Sequence, residues 1–200
     1  MKKIILIGLL YTFIGILFSL EIPFSTNPHK TETNHISGFV RVSPPDSTLC
    51  PLNTDAWLWY DDKNLFVLFE SEIDENFCEG KHAAYDGAAS ADYVRLQLIT
   101  DVQNYFAYGY FAYPLGSKYD FIRNSELESD KNWNSRYNYT TEISDSLWKV
   151  IFKIPFSDLR HSKSGPYNWK IVLTRYLKKS RETFNVPFVI TKMGNDYFRE

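Results

Sequence analysis

Thr54–Glu70 reads TDAWLWYDDKNLFVLFE. Two alternating apolar runs flank Asp61-Asp62-Lys63-Asn64, and Asp and Asn at such a break are turn chemistry. The segment is therefore expected to form a β-hairpin. Ala56, Leu58 and Tyr60 share one face with Leu65, Val67 and Phe69, while Trp57, Trp59, Phe66 and Leu68 share the other. With both faces apolar, the hairpin is either covered on two sides or presents an aromatic surface.

The same period of two recurs along the chain. It appears in Asp92 to Leu98 (DYVRLQL), in Tyr105 to Tyr113 before Pro114, in Trp148 to Ile154 before Pro155, and in Trp169 to Arg175. In the third run, Trp148, Val150, Phe152 and Ile154 point one way, and Pro155 ends the ladder. Residues 155–160 suit a short helical turn, and no amphipathic stretch is long enough for a substantial helix. Short strands at close intervals predict an all-β fold, a two-layer antiparallel β-sandwich of jelly-roll type with at most short helical turns.

The 200-residue length suits one such domain, and 44% hydrophobic with 23% charged residues lies in the globular range. Lys2 and Lys3 precede an apolar run from Ile4 to Phe18 that ends at Ser19, the order of a secretory signal. Residues 1–19 are thus expected to be a signal peptide, 20–35 an extended leader and 36–200 the sandwich. The product would be exported, periplasmic or extracellular. A second reading keeps Ile4 to Leu20 as an N-terminal membrane anchor, its 17 residues being at the short edge of a span. Cleavage would remove two lysines and leave 20 basic against 24 acidic residues, a net charge of −4. A mildly acidic domain without a basic block is a poor nucleic-acid partner.

Cys50 and Cys78 are the two cysteines, and in an oxidising compartment they are expected to form a disulfide closing 27 intervening residues. Such a loop is worth about 3–4 kcal/mol in the chain-entropy model. His29, His35, His82 and His161 lack ligand spacing, so no metal site or cofactor is expected. Asp74, Glu75 and Glu79 offer oxygen ligands of the calcium type, but their spacing matches no calcium loop. There is no nucleophile elbow, P-loop, zincin motif or dinucleotide fingerprint. Asp61, Asp62, Asp86 and Asp92 are the carboxylates that a glycoside hydrolase would draw on, although the turn already accounts for Asp61-Asp62. Trp, Tyr and Phe number 5, 14 and 15. Such rings serve sandwich cores, and they also serve sugars, whose C–H faces stack on π-systems.

Several of these landmarks, in order, resemble the family 9 carbohydrate-binding modules, which have a DOMON-like β-sandwich. The hairpin is similar to that family's, where Tyr-Asp-Asp ends one strand and Leu-aromatic-Val begins the next. Asp92-Tyr93-Val94 resembles its Asp-x-Val strand, Trp148 with Ile154-Pro155-Phe156 its Trp…Ile-Pro-Phe segment, and Trp169 to Arg175 its closing strand. The likeness runs from about Ile36 to Phe188. Family members grip a sugar end with a tryptophan before the Asp-x-Val strand and a glutamate within it. Here those positions hold Ala89-Ser90-Ala91 and Arg95, and the expected acid and asparagine are Ile151 and Val172.

The resemblance implies a non-catalytic binding domain for a glycan or cell-envelope polysaccharide. The rings assigned to stacking are Trp57, Trp59, Tyr108 and Phe184, with Arg95 and Arg175 holding sugar hydroxyls. Arg95, Ile151, Val172 and Arg175 would surround one electropositive spot suited to an acidic glycan, unless Arg95 pairs with Glu70 or Asp92. The alternatives are an envelope structural or protein-interaction domain that has lost the sugar site, and a small glycosidase.

Overall fold

The computed structural model describes residues 4–10, 16–84, 87–101, 106–123, 129–130, 132–161 and 167–187. Five strands precede the central hairpin: β1 (Ile4–Leu10), β2 (Ile16–Ile22), β3 (His35–Ile36), β4 (Val40–Ser43) and β5 (Pro45–Leu49). The hairpin is β6 (Thr54–Tyr60) with β7 (Asn64–Glu72). There follow β8 (Tyr93–Asp101), β9 (Phe106–Ala112), β10 (Lys118–Arg123), β11 (Ser129–Asp130) and β12 (Asn138–Ile143). The last three are β13 (Leu147–Pro155), β14 (Tyr167–Leu177) and β15 (Glu182–Val186). Among the described residues the only helical pieces are single 3-10 turns at Glu32–Asn34 and Phe156–Asp158.

These strands make two packed sheets, and the all-β sandwich expected from the alternation is the observed fold. The large sheet runs β11-β10-β9-β8-β14-β15-β4-β5, and the small one β12-β13-β7-β6-β3. Along both paths the pairings are antiparallel. The β1–β2 hairpin joins the large sheet through β1, which runs parallel to β14 over Tyr167–Trp169.

The hairpin forms where the sequence places it. Asp61 accepts the Lys63 and Asn64 N–H groups at 2.7 and 2.6 Å, and its own N–H bonds the Asn64 carbonyl. That closes the turn and sets Tyr60 opposite Leu65 and Leu58 opposite Val67. The face that carries Leu58 and Val67 turns inward. Ala56, Leu58, Leu65, Val67 and Phe69 meet Trp148, Val150, Phe152 and Ile154 of β13 in the core. From the large sheet, Val94, Leu96 and Leu98, then Tyr108 and Tyr110, then Trp169, Ile171 and Leu173, complete it. Removing this apolar surface from water is the main force holding the layers together.

The hairpin's other face is covered in part by the stretch before β3. Tyr60 exchanges backbone bonds with Pro23 and Ser25, and the Asn34 amide donates to the Leu58 carbonyl at 2.8 Å. His35 stacks on Trp57 at 4.9 Å, Lys30 lies 4.4 Å from the same ring, and Trp59 stacks on Phe66.

The expected disulfide is corrected. Cys50 and Cys78 are both free thiols. Cys50 packs against the core, where burial raises its pKa, while the Cys78 Sγ faces the Ser90 carbonyl at 3.7 Å. Hydrogen bonds hold these segments instead. The Cys50 N–H bonds Phe39, and the Cys78 carbonyl accepts the Asp92 N–H.

Candidate functional site

Three loops converge at the end of the sandwich away from the Asp61 turn. They are Pro51–Leu52 before β6, Asp74–Phe77 after β7, and Leu177–Glu182 joining β14 to β15. Between them lies an open cleft of about 350 Å³, a volume within the range of small-molecule sites.

The polar groups of this cleft are held in place by local bonds. Asp74 takes the Asn76 N–H on one oxygen at 2.8 Å and the Asn76 side-chain amide on the other at 3.0 Å. These bonds lower its pKa and keep it ionised. The Lys179 ammonium donates to the Asn76 side-chain oxygen, and Arg41 donates to Glu182. Phe77 supplies the aromatic wall; its ring is half-buried and tilts against Trp148 at 5.6 Å. The cleft thus offers one ring, the aliphatic Leu52 and Leu177, and a set of oriented donors and acceptors.

Beneath it lies a buried ion pair. Asp92 accepts from Arg175 Nη2 at 3.0 Å on one oxygen and from the Lys178 N–H at 2.9 Å on the other. Its own N–H bonds the Cys78 carbonyl at 2.9 Å. One residue therefore ties the Asp74–Cys78 wall to the Leu177–Ser180 wall. Arg175 is fully buried between the rings of Trp148 and Phe77, with centroid distances of 5.0 and 5.9 Å. Among the described residues its Nε and Nη1 have no acceptor. Burial raises the pKa of Asp92 and lowers that of Arg175, in each case against the pull of the partner. Desolvation outweighs attraction here, so the pair positions the loops more than it stabilises the fold.

The six residues assigned to ligand contact do not come together. Trp59 (2% exposed), Tyr108 (1%), Phe184 (1%) and Arg175 (0%) are buried. Arg175 continues the inward series of Trp169, Ile171 and Leu173, and Phe184 is its cross-strand partner on β15. The Tyr108 hydroxyl is occupied by the Arg160 N–H. Trp57 and Arg95 keep partial exposure, but Trp57 is on the small sheet and Arg95 on the large one. The single spot built from Arg95, Ile151, Val172 and Arg175 is likewise dispersed. Ile151 sits on β13 of the small sheet, Val172 on the outer face of β14, and Arg175 inside. Neither expected partner reaches Arg95: Glu70 bonds Lys30, and Asp92 bonds Arg175.

The carboxylates are separated too. Asp61 is spent on its turn, Asp92 is in the buried pair at the other end, and Asp86 lies outside the described residues. Among the described residues no three His, Cys, Asp or Glu side chains gather as metal ligands. Phe77, Asn76, Lys179 and Ser180 were not singled out by the sequence. Their one local signal is Asp-x-Asn, the spacing of an Asx turn.

No family model matches the chain, and no curated protein matches it in sequence. Among solved structures it is similar to a Bacteroides uniformis protein assigned as carbohydrate-binding, with a TM-score of 0.60 and 9% identity over 76% of this chain and 75% of that one. It is also similar to a family 9 carbohydrate-binding module from Caldicellulosiruptor kristjanssonii, solved in complex with glucose. There the TM-score is 0.50 and the identity 14% over 87% of each chain. The order of strands, the hairpin and the packing of the two sheets thus give this chain the fold of the family 9 carbohydrate-binding modules.

Proposed function

We propose that this protein is an exported, non-catalytic glycan-binding domain whose sugar sits in the end cleft. The observation that carries the reading is the make-up of that cleft. A half-buried ring, Phe77, stands beside oriented polar groups on Asp74, Asn76 and Lys179. A pyranose has the matching pattern of an apolar C–H face and hydroxyl edges, and such sites fix a ligand by one apolar wall and a few placed polar groups. The fold likeness supports the same reading, and the order of residues 1–19 supports export.

A glycan array followed by calorimetry on the whole chain tests it. Phe77→Ala is expected to weaken binding by roughly tenfold or more, as truncating an aromatic anchor does. Because Phe77 also packs on Trp148, Lys179→Ala serves as a second probe: its side chain is exposed, and its loss should weaken binding without lowering Tm. Absence of binding to every glycan tried would favour the reading as an envelope protein-interaction domain.

A further inference from the structure

The outer face of the large sheet holds a constellation separate from the cleft. The β8–β14 register sets Tyr93 opposite Tyr176 and Arg95 opposite Thr174. Because Val94 and Leu96 face the core, Tyr93 and Arg95 stand on the outside. Tyr93 and Tyr176 stack at 4.7 Å with 18° between their planes, and both keep partial exposure.

Among the described residues Arg95 is a cation without a counter-ion. Its Nη2 donates to Thr174 Oγ1 at 3.0 Å, and that hydroxyl's own proton goes to Asn185 at 2.8 Å, so the acceptor is fixed toward the guanidinium. Nε is shielded from water and has no partner among the described residues. The guanidinium carbon lies 5.5 Å from the Phe111 ring centroid. Among the described residues no carboxylate pairs with Arg95 or with Arg123, which lies 5.6 Å from the Phe121 centroid. Burial, and then the charge of Arg123, hold the Arg95 guanidinium below its ordinary pKa. A half-buried cation with no carboxylate beside it is costly unless an anion completes the site.

We propose that Arg95 marks an oxyanion-binding site for an acidic saccharide, whose carboxylate or sulfate takes the terminal N–H groups that Thr174 leaves unbonded while the sugar lies along the exposed edge of the Tyr93–Tyr176 stack. The saccharide half of this proposal rests on the glycan reading; the anion half rests on Arg95 and Arg123 alone. Guanidinium forks hold carboxylates and sulfates through charge-assisted bonds about twice as strong as neutral ones.

Titration calorimetry on the full chain tests it with an oligouronate, a sulfated oligosaccharide and a neutral oligosaccharide. The acidic sugars should bind, more weakly as salt is raised. Arg95→Gln should cost roughly tenfold in their affinity, and Arg95→Lys should recover part of it. Phe77→Ala reports on the cleft alone: neutral-sugar binding that depends on Phe77, with no acidic binding, overturns the Arg95 site and leaves the cleft reading intact. Acidic binding lost in Arg95→Gln, with no neutral binding, has the reverse meaning. Preference for the carboxylate or the sulfate tells which anion is recognised. Equal affinity for acidic and neutral sugars, or an unchanged affinity in Arg95→Gln, overturns the proposal. Should Arg95→Gln lower Tm, Arg123→Gln removes the second charge from a more exposed position; no change in acidic-sugar affinity there also overturns it.

Discussion

At the scale of single residues, Asp92 does more than any other side chain to shape the candidate site. It neutralises Arg175 and anchors Lys178 through its carboxylate, and it bonds Cys78 through its N–H. Asp92→Ala would leave the Arg175 charge buried and unpaired, and is expected to lose about 3–5 kcal/mol in urea unfolding. Replacing both members, Asp92→Leu with Arg175→Met, should recover most of that loss, because the desolvation of two charges disappears with them. Ligand binding should not return in the double variant, since the Lys178 anchor is still missing. Recovery of binding together with stability would show that Asp92 plays no positioning part. The parity of Arg175 was legible in the sequence, being in phase with Trp169, Ile171 and Leu173. Its charge pointed outward and its phase inward. Phase decides, because a pleated strand cannot turn one side chain to the other face without shifting all of them.

At the scale of elements, two tyrosines bind the sheets together. Tyr139 in β12 and Tyr137 just before it reach to β9, β10 and the connection between them in the opposite sheet. The Tyr139 hydroxyl donates to the Ser117 carbonyl at 2.6 Å and accepts the Tyr113 N–H at 3.0 Å. The Tyr137 hydroxyl donates to the Phe111 carbonyl at 3.0 Å and accepts the Tyr119 N–H at 3.2 Å. Burial pushes the Tyr139 pKa up to about 12, so both partners stay bonded to a neutral phenol across the physiological range. Tyr139→Phe keeps the ring but orphans these groups, and should cost about 1–3 kcal/mol by chemical denaturation. A loss no larger than that of an exposed Tyr→Phe control would mean that water replaces the bond. The β6–β7 hairpin needed no such distant help, for its turn residues and alternation are contiguous. The two tyrosines carry no sequence signal, because the groups they satisfy lie some twenty residues upstream on another sheet.

At the scale of the whole molecule, pH and export can be tested. In Asp61 and Asp158, burial would raise the pKa, but hydrogen bonds outweigh it. The bonds come from Lys63 and Asn64 to Asp61, and from Arg136 and Ser135 to Asp158. Glu182 is held low by Ser180 and Arg41. A carboxylate with a depressed folded pKa contributes stability that is present above its unfolded pKa and is lost as pH falls through the folded value. Asp92, shifted upward by burial, opposes the other three. Tm should therefore fall as the solution is acidified below about pH 4, and a Tm that rises toward pH 3 would contradict these assignments. N-terminal sequencing of the protein from its own host should find the chain beginning near Leu20; an intact Met1 in a membrane fraction would establish the anchor instead.

By itself the sequence determined six of the strands (β6 to β9, β13 and β14), the hairpin, the residues that share a face in each and hence the sandwich, since each follows from a period of two and from turn residues only a few positions apart. Leu58, Val67, Trp148 and Ile154 are core for that local reason. The tertiary structure alone decided the site. Phe77 and Lys179 are about a hundred residues apart in sequence and meet because β7 ends, and β14 turns into β15, at the same end of two different sheets. It also decided that Trp59 is buried on the hairpin's outer face and that no acid among the described residues pairs with Arg95. Both depend on which distant segments come to lie against a strand, and the alternation within a strand carries no record of its neighbours.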